Sequence, residues 1–220
     1  MRDAVRGPWS VVRKAALCLF SFAVAAGGGA QTRVLDDFAN VAGWKAAPSE
    51  GVTLAVAGEA GPGGPAMRLD FDFQGHGGWA AVRKTVDLEL PDNYEFTFRI
   101  RGEAPTENLE FKLVDASGDN VWWSPRRDFS FPHEWTTLRV RKRQVSFAWG
   151  PAGGGELKRA ASIEIAVTAG SGGRGSVWIS DFALTPLPPD RPYAGTPVAS
   201  ASSSLPGRGP AQALSGQNGG

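Results

Sequence analysis

The chain has 220 residues and a formal charge of +1, with 29 glycines, eight tryptophans and a single cysteine. That length suits one domain plus extras, and the near-neutral balance gives no bulk attraction for a polyanion such as a nucleic acid. The cysteine, Cys18, falls in a leader segment, so the remainder can form no disulfide, thiolate nucleophile or cysteine metal site.

The first 30 residues read as a secretory signal. Arg2, Arg6, Arg13 and Lys14 precede an apolar run from Ala15 to Ala26, too short to cross a bilayer. Gly28-Gly29-Ala30 offers small residues for cleavage, with Ala23-Val24-Ala25 a second option. The arginine pair of a twin-arginine signal is absent. Leu17 stands before Cys18 where a lipoprotein signal needs a small residue. A secreted or periplasmic location without a stable membrane anchor is therefore expected. Cleavage after Ala30 removes four basic residues and one acid, which takes the formal charge from +1 to −2.

Extended segments follow. Val34 to Phe38 and Val52 to Ala57 are short strand candidates, and Gly61-Pro-Gly-Gly-Pro65 is a turn by composition. Met67, Leu69, Phe71 and Phe73 alternate with Arg68, Asp70 and Asp72, the period of a half-buried strand. Trp79 to Val86 is extended again after a glycine-rich loop. Tyr94, Phe96, Phe98 and Ile100 alternate with charged or polar partners, and Leu109, Phe111 and Leu113 repeat the pattern. These two are read as adjacent strands of one sheet, with Val121-Trp122-Trp123 beginning a third that Pro125 interrupts. Trp135 to Val140, Arg143 to Trp149, Ile163 to Val167 and Val177 to Phe182 complete the set. In the last, Val177, Ile179 and Asp181 oppose Trp178, Ser180 and Phe182. Glu156 to Ala161 is long enough for one helical turn, and no window shows helical periodicity over three turns. Many short strands between Gly, Pro, Asp and Asn turns predict an all-β sandwich or barrel over residues 31–187, and the apolar face of the Tyr94 to Trp123 strands, which needs a partner sheet, points to a two-sheet antiparallel sandwich.

From Pro186 to Gly220 the composition is mostly Pro, Gly, Ser and Ala, with Tyr193 the one aromatic residue. Such a segment has too little apolar surface to bury and reads as a linker or tail over residues 188–220. A linker predicts a C-terminal partner domain in a longer parent polypeptide.

Several motifs fail on their chemistry. Gly170-Ser-Gly-Gly-Arg-Gly175 has dinucleotide-loop spacing, but a strand follows where a helix is required, so it reads as a hairpin loop. Asp115 to Asn120 spaces its oxygens like a calcium loop. It lacks the glycine at the sharp turn and the closing glutamate, with Arg126 in that place, and reads as a turn. His76 and His133 lie in separate loops and support neither a zinc site nor a catalytic triad.

The tryptophans carry more. Trp44, Trp135 and Trp178 suit a core. Trp122 and Trp123 are adjacent, so in a strand one faces inward and the other outward, and a slip of one residue exchanges them. Trp79 and Trp149 flank glycine-rich loops, and Arg126 and Arg127 follow the tryptophan pair. Exposed indoles beside polar donors suit pyranose rings, which offer C–H faces for stacking and hydroxyls for hydrogen bonds. Trp79, Trp122, Trp123, Arg126, Arg127 and Trp149 are thus the candidate ligand-binding residues, and no catalytic residue is assigned.

The order of motifs has a family resemblance. Leu35-Asp-Asp-Phe38, Gly43-Trp44, the Met67 to Phe73 and Tyr94 to Arg101 strands, Phe111-Lys-Leu-Val-Asp115, Trp135-Thr136 and Val177-Trp-Ile-Ser-Asp-Phe182 together resemble the galactose-binding-like jelly rolls. The chain is similar over Arg33 to Leu187 to family 11 carbohydrate-binding modules and to the complex I intermediate-associated type domain. It also resembles the N-terminal region of bacterial secreted proteins that carry discoidin (coagulation factor 5/8 type C) domains, often beside glycoside hydrolase domains. The resemblance implies a five-plus-four or similar sandwich, a non-catalytic module, an oligo- or polysaccharide partner and a structural calcium near the chain ends. Asp37 and Asp181 are the side chains it points to for the metal, with Ser180 replacing the first acid of the usual closing pair. Two other classes share these features: a jelly-roll polysaccharide lyase or hydrolase fragment, and a protein-interaction or adhesion domain.

Overall fold

The computed structural model describes residues 31–189. The expected signal segment and residues 190–220 of the expected tail lie outside them. Twelve strands follow in chain order: β1 Arg33–Asp36, β2 Trp44–Ala46, β3 Thr53–Ala60, β4 Pro65–Asp72, β5 Trp79–Glu89 and β6 Tyr94–Glu103. Then come β7 Glu107–Val114, β8 Val121–Phe129, β9 Thr136–Arg141, β10 Ser146–Trp149, β11 Arg159–Thr168 and β12 Arg174–Pro186. They form two six-stranded sheets. One has the order β3-β4-β12-β6-β9, with β1 also paired to β12; the other runs β10-β8-β7-β11-β5-β2. The paired strands are antiparallel.

The inward half of each alternating strand fills the space between the sheets. Met67, Leu69 and Phe71 of β4, Phe96, Phe98 and Ile100 of β6, Leu109, Phe111 and Leu113 of β7 and Ile163, Ile165 and Val167 of β11 are all buried there. Phe96, Phe98, Phe111 and Phe182 form its aromatic centre, with ring centroids 4.9–6.4 Å apart. Such pairs add about 0.5–1.5 kcal/mol each beyond their area burial.

Four local expectations are corrected. Strands β6 and β7 lie in opposite sheets, not side by side. Both present one apolar face, and facing each other across the core buries both at once, which pairing edge to edge would not do. Strand β8 runs through Pro125 instead of stopping there. β10 pairs with β8 only from Val121 to Trp123, so at Pro125 the missing N–H lies on an unpaired edge. Residues 142–144 form a 3-10 turn before β10, and Glu156 to Lys158 is irregular, with β11 beginning at Arg159, so no helical turn forms there. Finally, β12 bulges: its pairing with β6 shifts between Ser180 and Ala183, and Asp181 has φ 54°. The extra residue reverses the alternation, so Phe182 points inward with Val177 and Ile179.

A buried carboxylate ties β1 to both sheets. Asp36 accepts hydrogen bonds from the Phe38 backbone at 2.7 Å and the Trp44 indole at 2.8 Å, and its partner in charge is the Lys84 ammonium. Asp36→Ala leaves these donors without their acceptor, at an expected cost of about 2 kcal/mol. Urea unfolding checks this; an unchanged midpoint would show the cluster to be ornamental.

Glu95 is the counterpart on the outer face of the first sheet. Burial disfavours its charge, but Arg141 and Arg139 outweigh that and hold its pKa below the ordinary glutamate range. A depressed folded pKa stabilises the fold above the unfolded value and is lost as pH falls through the folded one. Below about pH 4 the melting temperature should therefore fall more steeply in the native protein than in Glu95→Gln. Equal acid slopes would count against the assignment.

Candidate functional site

The outer face of the second sheet carries a groove of about 300 Å3. Its floor is set by register. Trp123 of β8 pairs with Lys112 of β7, Lys112 with Glu164 of β11, and Glu164 with Arg83 of β5, so one row of side chains crosses four strands. The next outward positions are Ala166 and Ala81, paired with each other, whose small side chains keep the middle of the face low. A third row sets Thr168 beside Trp79.

Opposite charges meet along the first row. Glu164 accepts two hydrogen bonds from Arg83, at 3.1 and 2.8 Å, and one from Lys112 at 2.9 Å. Glu110 lies 3.0 Å from the same ammonium. Burial works against the Lys112 charge, but Glu164 and Glu110 outweigh it and raise its pKa above the ordinary lysine value. Two cations and two carboxylates leave the floor electrically balanced. The Thr168 hydroxyl is buried and has no hydrogen-bond partner among the described residues.

Aromatic rings flank this floor. Trp79 and Trp149 are 46% and 49% exposed. The Trp79 indole donates to the Ala47 carbonyl at 3.1 Å, and its backbone N–H donates to the Ser49 hydroxyl at 2.9 Å, so the ring is held by its edge with a face free. Trp149 packs edge-to-face on Trp123, centroids 5.9 Å apart, with the Lys112 ammonium 5.7 Å from its ring. Gly150 fixes where β10 ends: at φ 129°, a Cβ would meet the Asn120 side chain at 2.5 Å and the Asp119 carbonyl at 2.6 Å. Only glycine fits that approach.

Of the six residues singled out from sequence, three meet here: Trp79, Trp123 and Trp149. Trp122 points the other way and is buried at 6% exposure, its indole donating to the Gly155 carbonyl at 2.8 Å. Arg126 reaches across to the other sheet and donates to the Arg139 carbonyl at 2.8 Å, and Arg127 is exposed beyond it, near the bulged end of β8. Neither arginine lines the groove. Arg83, Glu110, Lys112, Glu164 and Thr168 were missed. Their one sequence signal was an outward place in alternating strands, which many surface residues share.

Two of the indoles expected in the core are also placed differently. Trp44 is buried between the sheets. Trp178 alternates with Val177 and Ile179 and so faces outward on the first sheet, covered by Arg68 and Arg101 at 5.1 and 4.3 Å from its ring. Trp135 lies under Arg99. A larger hollow of about 720 Å3 beside the β3–β4 turn has Phe38 and mostly small residues for walls. Phe38 is fully buried, so that hollow offers no stacking platform.

The candidate metal ligands do come near each other, since β1 pairs Asp36 with Phe182 and thereby sets Asp37 beside Asp181. Asp37 accepts from the Ala39 backbone at 3.0 Å, and Asp181 lies 3.9 Å from Arg99. Among the described residues, no three His, Cys, Asp or Glu side chains are grouped to hold a metal. Two carboxylates fall short of the six to eight oxygens calcium takes, and the buried Asp36 is already neutralised by Lys84. Calcium here would need backbone carbonyls and water beside Asp37 and Asp181.

The fold and the groove together define a class of structure. The architecture is a two-sheet jelly-roll sandwich similar to that of family 11 carbohydrate-binding modules. The module of a cellulosomal cellulase of Clostridium thermocellum aligns with a TM-score of 0.59 at 16% identity, over 72% of this chain and 96% of that one. A Clostridium thermocellum family 11 module in complex with a β-1,3-1,4-mixed-linked tetrasaccharide aligns with a TM-score of 0.58 at 16% identity, over 70% and 95%. An exo-β-agarase matches at 0.51 and 13% identity, over 72% of this chain and 26% of the enzyme. No protein-family model matches the chain, and no curated protein sequence does.

Proposed function

We propose that this chain is a secreted, non-catalytic carbohydrate-binding module that holds an oligo- or polysaccharide in the groove of the second sheet. The observation that carries the proposal is the juxtaposition of three indoles with a balanced polar floor. Trp79 and Trp149 offer faces for the C–H side of sugar rings, and Trp123 braces Trp149. Thr168 and the charged row supply hydrogen bonds to hydroxyls. A neutral floor suits a neutral glycan. Glu110 and Glu164 share one ammonium as ion-pair partners, which supports binding rather than glycoside hydrolysis, where one carboxyl must donate a proton. The tail composition supports a place beside a further domain, of the discoidin or glycoside hydrolase kind.

A glycan array with the full chain, followed by a reducing-sugar assay on each bound glycan, tests this. Binding without sugar release is expected. Release of reducing ends would favour the hydrolase alternative, and binding to protein but to no glycan would favour the adhesion alternative.

A further inference from the structure

A second concavity lies across β8 from the groove. It encloses about 330 Å3 where the chain leaves β9, turns through Lys142–Gln144 and enters β10. Trp122 and Phe147 line it with their rings in edge-to-face contact, centroids 5.3 Å apart. Tyr94 lines it too and is 3% exposed. Among the described residues its hydroxyl makes no hydrogen bond to protein and is not one of the buried unpartnered atoms, so it opens to the pocket. Burial, with Glu156 nearby, pushes the phenol pKa up to about 12, so it stays a neutral group that both donates and accepts.

The rim is charged and unevenly paired. Glu156 is neutralised by Lys142 and by Lys158, the latter 3.1 Å away. Arg143 also lines the pocket and makes no ion pair among the described residues. The adjoining loop leaves the mouth clear: Gly153, Gly154 and Gly155 have positive φ, and a Cβ at any of them would meet nothing within 4 Å. The Trp122 indole anchors that loop through the Gly155 carbonyl.

Each feature asks something of a ligand. Aromatic walls take the apolar face of a ring. An idle phenol hydroxyl takes a ring hydroxyl. An unpaired guanidinium takes a carboxylate, in the two-point geometry that lysine lacks. We propose that this pocket binds a uronic acid residue of an acidic oligosaccharide, its ring against Phe147, which the buried Trp122 backs, its carboxylate on Arg143 and a hydroxyl on Tyr94. The site is separate from the groove, and the adjacent pair Trp122-Trp123 serves one site each because a strand sends neighbouring side chains to opposite faces.

The test is calorimetric titration of the full chain with trisaccharides of galacturonic acid and of glucuronic acid, and with their neutral counterparts. At least one uronate should bind, more weakly as salt is raised. Arg143→Gln should weaken that binding by about tenfold or more, and Tyr94→Phe by a smaller factor, with both variants melting as the native protein does. Trp123→Ala, a groove variant, should leave uronate binding unchanged while lowering neutral glycan binding. Should neither uronate bind, or should binding survive Arg143→Gln and vanish with Trp123→Ala, the second site does not exist. The groove proposal stands or falls separately on the neutral glycans.

Discussion

Trp122→Ala is expected to cost about 3–5 kcal/mol, whereas Trp123→Ala leaves the fold within about 1 kcal/mol of native. The two residues are chain neighbours of one type, so the contrast isolates position. Trp122 is buried, packs on Phe147 and holds the Gly155 carbonyl. Its loss opens a cavity, strands a loop carbonyl and should lower the melting temperature by more than about 6 °C. Trp123 contributes an outward ring to the groove and braces Trp149. Its loss should weaken glycan affinity by at least about tenfold while the melting curve barely moves. Thermal melts and a glycan titration for each variant decide the matter. Equal destabilisation would mean that Trp123 is structural and that the groove has lost a wall rather than a platform. Two stable variants with unaltered affinity would remove the groove from the binding function.

Glu164→Ala is expected to be almost as damaging, at about 3 kcal/mol, through charge rather than volume. Glu164 is nearly buried and holds both Arg83 and Lys112. Without it, the ammonium of a buried lysine keeps only Glu110 at 3.0 Å, and desolvation is no longer offset. A triple variant separates this from packing. Lys112→Met, Glu164→Leu and Glu110→Gln together replace the buried members of the network by uncharged groups and leave only the half-exposed Arg83 to water, and such replacements are often neutral for stability. The triple variant should recover most of the lost stability in urea unfolding but bind glycan no better than the single one, because the polar floor is gone. If the triple variant were as unstable as Glu164→Ala, loss of packing would explain both, and the ion pairs would carry no special weight.

Much of this molecule was legible in the chain itself. Period-two alternation at Met67 to Phe73, Tyr94 to Ile100, Leu109 to Leu113 and Ile163 to Val167 determines strands and their buried faces, because a strand sends successive side chains to opposite sides whatever its neighbours are. It also predicted that Trp122 and Trp123 would part, and that a strand, not a nucleotide-binding helix, follows the glycine-rich stretch after Thr168; the stretch is not the hairpin loop expected, because β11 and β12 lie in different sheets and it carries the chain from one to the other. These are local facts of backbone geometry. What the alternation does not encode is which strand lies beside which. β6 and β7 both show an apolar face, and only the tertiary structure decides that they meet across the core instead of pairing. The bulge at Asp181 likewise reverses Phe182 where β12 changes partner from β4 to β1 on one edge while it stays paired with β6 on the other, which strict alternation does not anticipate. The groove depends on that same non-local choice. Trp123, Lys112, Glu164 and Arg83 come from four strands spread over 82 residues, and each alone is an ordinary outward side chain. Register brings them into one row, so the tryptophans were visible from sequence but the charged floor between them was not. The same holds for Trp122 and Trp123: the sequence determines that they face opposite ways, and the closure of the Asp115 to Asn120 turn, where Asp115 accepts from Ser117 and Asn120, decides which of them reaches the groove.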